Sequence, residues 1–287
     1  MMEGSSRKLE LLQAGRAIAS IGVVMCHAGI YAGHRLGSEY YGIGVDFFFL
    51  LSGYIIYHVT AGREFSLRRF AGKRARRIYL PYWPVGVAMI VLYAVQGKDF
   101  SLLASLTLLP GETALHPAWS LQNEVAFYAL AATGFWIGRP LLVMAAWAAV
   151  IALFGVADTE KSNLAEMALN TRNLAFVLGM FLAAFVRIPD VRVGPALNLL
   201  GDASYSIYLA HLPVMGVAWR LGADFWTLAL CGVAAGLAYY RFVEKPLLVS
   251  GRPRLELQSP APVAARGPRS KALPPAQTGR ISATNSP

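Results

Sequence analysis

Charged residues are scarce in this chain. Only 15% of its 287 residues are Asp, Glu, Lys or Arg, 56% are hydrophobic, and the mean hydropathy is +0.46. A soluble domain carries nearer a quarter charged residues, so a freely soluble globular protein is excluded. Cysteine is rarer still. Cys26 and Cys231, the only two, both fall in apolar segments and read as buried thiols rather than a disulfide framework. The sequence has no glycine-rich Walker loop, no Cys/His cluster at zinc spacing and no Gly-x-Ser-x-Gly elbow. Neither a metal site nor a permanently bound cofactor is expected.

Acid is short as well: 16 Asp and Glu stand against 26 Lys and Arg, and the sequence pI is near 9.8. Nucleic acid is the usual partner of such a balance, but the positive charge is not spread over a face. Arg63, Arg68, Arg69, Lys73, Arg74, Arg76 and Arg77 crowd one segment with Glu64 as its one acid. The stretch 251–287 carries a further six basic residues against Glu256. These two segments account for the whole net charge of +10. Clusters of that kind orient loops on the cytoplasmic side of a membrane and exclude a nucleic-acid surface.

Apolar stretches of spanning length recur through the first 245 residues, so the expected fold is an all-α polytopic integral membrane protein, a bundle of about 8–10 transmembrane helices. Eight spans are expected, at about 10–31, 43–60, 78–96, 119–137, 140–156, 173–186, 196–219 and 223–243. Pro81 and Pro84 then fall in the first turns of the third span, where proline costs least. The apolar piece 102–109 is too short to cross and reads as re-entrant or interfacial, and 158–172 reads as a polar connection. Residues 1–248 form the transmembrane domain. Residues 249–287, rich in Pro, Ala, Ser and Arg, read as a disordered basic cytoplasmic tail. Placing the basic loops in the cytoplasm puts both termini there.

Polar groups inside these spans are costly in lipid and mark candidate sites. Arg16 and His27 lie eleven residues apart in the first span. At about 100° per residue they return to within about 20° of one azimuth, roughly 16 Å apart along the axis. That places a guanidinium and an imidazole on one face and points to an interior cavity. Asp46 reads either as a helix-start carboxylate or as a site residue. Ser52, next to Gly53, reads as a small residue permitting close helix packing or as a site hydroxyl. Glu124 reads as one half of an ion pair with Arg16 or as a catalytic acid. His211 lies mid-span, and Glu244-Lys245-Pro246 reads as the terminator of the last helix. Arg74 and Arg77, three residues apart at a helix start, point to nearly the same side. They fit a phosphate clamp or an anionic lipid contact.

Six ordered segments carry a family resemblance. They are Arg16 with His27; Gly44-Val-Asp46-Phe-Phe-Phe-Leu-Leu-Ser52-Gly53; Arg74-Ala-Arg76-Arg77-Ile-Tyr-Leu-Pro81; Trp119-Ser-Leu-x-x-Glu124; Gly201-Asp-Ala-Ser204-Tyr205-Ser-Ile-Tyr208-Leu-Ala-His211; and Glu244-x-Pro246. Over about 9–247 the chain resembles the membrane acyltransferase-3 family, in particular its exopolysaccharide and O-antigen O-acetyltransferase type. The resemblance implies transfer of an acyl group, most often acetyl, from acyl-CoA to a carbohydrate hydroxyl. It implies a catalytic set of His27, Arg16 and Glu124, and Arg74 and Arg77 as the elements that bind the acyl-CoA (acetyl-CoA) donor. It also implies a bacterial cytoplasmic (inner) membrane location, with the bilayer and a carbohydrate acceptor as partners. Direct transfer with His27 as base and a covalent relay through His27 or Ser52 both remain open.

Two departures stand out. The family commonly has about ten spans. Gln13 also stands where an acid often precedes the arginine of the first helix, which makes Glu124 or Asp46 the expected partner of Arg16. The rival reading is a transporter of lipid-linked sugar or small anions without acyl transfer; a third is an assembly protein without activity.

Overall fold

The computed structural model describes residues 4–33, 42–155, 162–189 and 191–250. The loop around His34 to Glu39, Asp158, Asp190 and the tail beyond residue 250 lie outside the described residues. In chain order the helices are α1 (Gly4–Tyr31), α2 (Ile43–Thr60), α3 (Leu67–Val95), α4 (Leu102–Thr107), α5 (Trp119–Trp136), α6 (Pro140–Phe154), α7 (Asn163–Leu169), α8 (Leu174–Phe185), α9 (Pro195–Arg220), α10 (Phe225–Tyr239) and α11 (Lys245–Ser250). Short 3₁₀ turns precede α5 (His116–Ala118) and α8 (Thr171–Asn173), and a π turn, Tyr240–Glu244, joins α10 to α11. No strand occurs among the described residues.

This is an all-α polytopic membrane protein. Among the described residues five segments are long and apolar enough to cross a bilayer: Glu10–Tyr31, Ile43–Thr60, Leu67–Val95, Asn163–Phe185 and Phe225–Val249. Helices α5 and α9, with 18 and 26 residues, have the length, but polar side chains turned into the protein dilute their hydropathy. Helix α6 is apolar and shorter, at 15 residues. These eight regions fall on the eight expected spans.

Three boundaries differ from expectation. Helix α3 starts at Leu67, not near residue 78, because the Ser66 hydroxyl caps it by accepting from the Arg69 amide. The arginines, lysine and alanines that follow are good helix formers. Pro81 and Pro84 are therefore deep inside α3 rather than in its first turns. Around the two prolines, neighbouring helices bond the α3 backbone: the hydroxyls of Tyr205 and Tyr239 donate to the carbonyls of Ile78 (2.9 Å) and Pro81 (2.6 Å). The polar stretch 158–172 contains α7, whose first turn is capped by Ser162. Glu244 does not end the last helix, which continues through the π turn to Ser250. Cys26 and Cys231 are partly rather than fully buried.

Helix α1 is the spine. It packs along α9 in the same direction, with Gln13 against Asp202 at one level and His27 against His211 further on. Helix α9 packs in turn on α10, and α2 packs on both α1 and α8. The α2–α8 contact is backbone against backbone. A Cβ on Gly53 would overlap the Phe176 carbonyl, and one on Gly179 would overlap the Leu50 carbonyl. The small residue next to Ser52 thus serves close helix packing. Beside this contact Phe176 stacks between Phe49 and Phe127, with centroids 4.1 and 4.3 Å away, tying α2, α8 and α5 together.

Gly53→Ala and Gly179→Ala are expected to destabilise the bundle by about 1–3 kcal/mol each, the usual cost of overpacking. Gly72→Ala, where a Cβ meets nothing within 4 Å, is the control. Thermal unfolding of the purified protein in detergent checks this; equal midpoints for all three variants would contradict it.

Candidate active site

Helices α1, α2, α3, α5 and α9 enclose a cavity of about 170 Å³. Five of the residues singled out from sequence line it: Arg16, Ser52, Arg74, Arg77 and Glu124. Tyrosines 128, 205 and 208 and Ser120 complete its polar wall. Three guanidiniums therefore face one chamber together with one carboxylate, Glu124.

The three cations are held differently. Arg77 donates from Nη1 to Oε1 of Glu244 at 2.6 Å, and its guanidinium carbon lies 5.6 Å from the centre of the Tyr205 ring. Glu244 is fully buried, and its other oxygen accepts from the Ser206 hydroxyl at 2.5 Å. Arg74 lies 5.7 Å from the centres of both the Phe70 and Tyr128 rings, and its Nε is buried without a hydrogen-bond partner. Arg16 donates to the side-chain oxygen of Gln13 at 3.2 Å, and the Gln13 amide donates to Asp202 at 2.5 Å.

These contacts correct several expectations. Among the described residues Arg16 makes no ion pair with Glu124 or Asp46. Gln13 stands between Arg16 and an acid, and that acid is Asp202, on α9. Glu124 instead accepts from Ser52 at 3.0 Å and from the Tyr128 hydroxyl at 2.5 Å, both on Oε1. Asp46 pairs with Arg172 at 2.7 Å and does not line the cavity. Arg74 and Arg77 sit about two to three turns inside α3 rather than at its start. They share the chamber, but Arg77 is already held by Glu244, so they are not an equivalent pair.

His27 opens into a second, smaller cavity of about 20 Å³, lined also by Cys26, Gly44, Pro117 and Trp119. Arg16 and His27 thus lie on one side of α1 but face different chambers. Val45, Ser120 and Tyr208 line both and form the partition between them. Behind His27 lies His211, fully buried. His211 Nδ1 is 2.9 Å from the Ile207 carbonyl, and its Nε2 is 3.3 Å from His27 Nδ1, which is also 2.9 Å from the Val23 carbonyl. A carbonyl only accepts, so each Nδ1 carries the hydrogen. His211 Nε2 is then an acceptor facing the His27 Nδ1–H, and the basic lone pair of His27 resides on Nε2. The Val23 carbonyl thus sets the His27 tautomer, and His211 Nε2 shares the same Nδ1–H at longer range.

An apolar groove of about 360 Å³ runs outside the main cavity between α3 and α5 and shares Arg74, Ile78 and Tyr128 with it. Its lining is otherwise mostly alanine, leucine and aromatic, the composition of a surface that faces lipid.

Sequence reasoning missed Glu244 as a site residue, along with Gln13–Asp202 and the tyrosines of α5 and α9. The signals were present. Tyr205 and Tyr208 stand at i, i+3, so they share a face, and an acid just before Lys-Pro at a helix end is an unusual place for a charge in an apolar span.

The family model described as an acyltransferase domain matches residues 10–158 and 132–239. The exopolysaccharide production protein ExoZ of Rhizobium meliloti (strain 1021) is 27% identical over 310 aligned positions, covering 80% of this chain and 96% of that protein. No solved structure matches. The family match begins where the spanning part of α1 begins and ends at Tyr239, the last residue of α10, so it takes in both chambers and every cavity-lining residue named above. Since both chambers are built from matched helices, the chain belongs to the acyltransferase-3 family and is a membrane acyltransferase.

Proposed function

We propose that this enzyme moves an acetyl group from acetyl-CoA to a carbohydrate hydroxyl of an exopolysaccharide at the bacterial cytoplasmic membrane. The observation that carries the reading is the arrangement of an oriented imidazole, His27, across a thin partition from a chamber lined by three arginines. A donor with a polyphosphate head and a thioester tail needs both. The acceptor class rests on the relative, which is named for exopolysaccharide production. The clustering of basic residues at 63–77 supports a cytoplasmic position for that end of the bundle, where acyl-CoA is found, with both termini on the same side.

In this mechanism the phosphates of the donor lie against Arg74 and Arg77, and Arg16 helps to position the arm that carries the thioester. The His27 Nε2 lone pair takes the proton of the sugar hydroxyl as its oxygen attacks the thioester carbonyl. The carbon–sulfur bond breaks, an ester forms, and the departing thiolate takes the proton back from the imidazolium, leaving CoA and the acylated sugar. His211 acts through His27 and is a positioning residue. Glu124, held by Ser52 and Tyr128, supplies countercharge to the arginines; Glu244 keeps Arg77 aimed at the chamber.

Deleting the gene and recording NMR spectra of the surface polysaccharides tests the reading: O-acetyl signals should disappear from one glycan, return with the wild-type gene and not return with His27→Ala. Loss of the imidazole is expected to lower kcat by about 10² to 10⁴ in a protein that still folds and inserts. Unchanged acylation in every glycan would contradict the proposal.

Glu244→Gln keeps the size and one acceptor oxygen but removes the charge. It is expected to raise KM for acetyl-CoA roughly tenfold or more, in line with the loss of a charge-assisted bond, while kcat changes little. A fall in kcat at constant KM would place Glu244 elsewhere in the mechanism.

A further inference from the structure

The two chambers are unequal, and a single partition separates them. The arginines line only the larger, and His27 lines only the smaller, with about 20 Å³ of space against about 170 Å³. If the donor binds on the arginine side, its acyl group must pass Val45, Ser120 and Tyr208 to reach the imidazole.

Two of the three partition residues are locked to each other. The Tyr208 hydroxyl donates to the Pro117 carbonyl, and the Ser120 hydroxyl, 2.7 Å away, donates to the Tyr208 oxygen. Pro117 belongs to the 3₁₀ turn before α5 and is buried. This side of the gap is therefore tied to the backbone and yields little. Val45 forms the other side. It is buried in the first turn of α2, one residue after Gly44, where a Cβ would overlap Val23 of α1. Close packing of α1 and α2 at Gly44 fixes the backbone that carries Val45. The gap thus has one polar and one apolar wall, each anchored to closely packed backbone, and a space beyond it too small for a long chain.

We infer that Val45, Ser120 and Tyr208 set the length of the acyl group this enzyme transfers, restricting it to acetyl. The inference rests on the proposed transfer from acyl-CoA and adds to it the residues that determine donor specificity. A rigid apolar wall discriminates by about 10- to 200-fold per methylene, enough to exclude butyryl.

The test uses the full-length purified protein in nanodiscs with acetyl-, propionyl- and butyryl-CoA and the purified polysaccharide. The wild type should prefer acetyl over butyryl by at least about 100-fold in kcat/KM. Val45→Ala should narrow that ratio by about tenfold or more, because the wall is trimmed where the longer chain passes. Val45→Ile should do the reverse: acetyl transfer falls while calorimetric binding of acetyl-CoA stays close to the wild type, since Val45 stands at the partition and Arg74 and Arg77 keep their own contacts. Equal use of acetyl and butyryl by the wild type, or an unchanged ratio in an active Val45→Ala variant, would overturn the inference and leave the transfer reading standing. Absence of turnover with every donor would overturn the transfer reading and this inference together.

Discussion

A carboxylate with no exposure inside a membrane bundle must be neutralised where it lies, and Glu244 is so placed. The several kcal/mol that desolvation of an ion costs are recovered only with a close partner and with the remaining lone pairs satisfied. Arg77 and Ser206 supply both, from α3 and α9. The interaction pins three parts of the chain that are far apart in sequence. The π turn at Tyr240–Glu244 changes the helical phase just where the carboxylate is buried, and π turns are frequent at functional sites. Because the guanidinium of Arg77 is held, it is a fixed feature of the chamber wall rather than a mobile surface charge.

The same rule organises the other intramembrane polar groups. Four of them are coupled to segments distant in sequence: Gln13 to Asp202, Ser52 to Glu124, Asp46 to Arg172, His27 to His211. In hydrocarbon an unpaired polar group is expensive, so these contacts choose the neighbours of each helix as firmly as the apolar packing does. Function then takes what the rule leaves over. Arg74 keeps a buried Nε without a partner and faces the chamber between two aromatic rings, which suits a cation that waits for an anionic ligand.

The spans were legible because lipid demands long apolar helices, a requirement written locally in the chain. The shared side of Arg16 and His27 was legible for the same kind of reason: eleven residues is close to three helical turns. What failed was of two sorts. The start of α3 is hard to read because seven basic residues cluster over 63–77 and resemble a cytoplasmic loop, although Ser66 before a helix-forming stretch is the cap signal; the positions of Pro81, Pro84 and the arginine pair within α3 depend on that start. The contacts Gln13–Asp202, Asp46–Arg172 and Ser52–Glu124 were not legible because pairing across 189, 126 and 72 residues leaves no periodic trace. The division into two chambers was illegible for that reason too, since it depends on where Val45, Ser120 and Tyr208 meet from three different helices.

The account places the donor at the arginine end and the chemistry at His27, on one path with a defined direction. Membrane vesicles of known orientation test this most directly, with radiolabelled acetyl-CoA added outside and polysaccharide acceptor present on both faces. In the proposed orientation inside-out vesicles turn the Arg63–Arg77 end to the medium, so they should transfer label to the polysaccharide, and right-side-out vesicles should not. Equal labelling in sealed vesicles of both orientations, or labelling confined to the right-side-out preparation, would contradict the account.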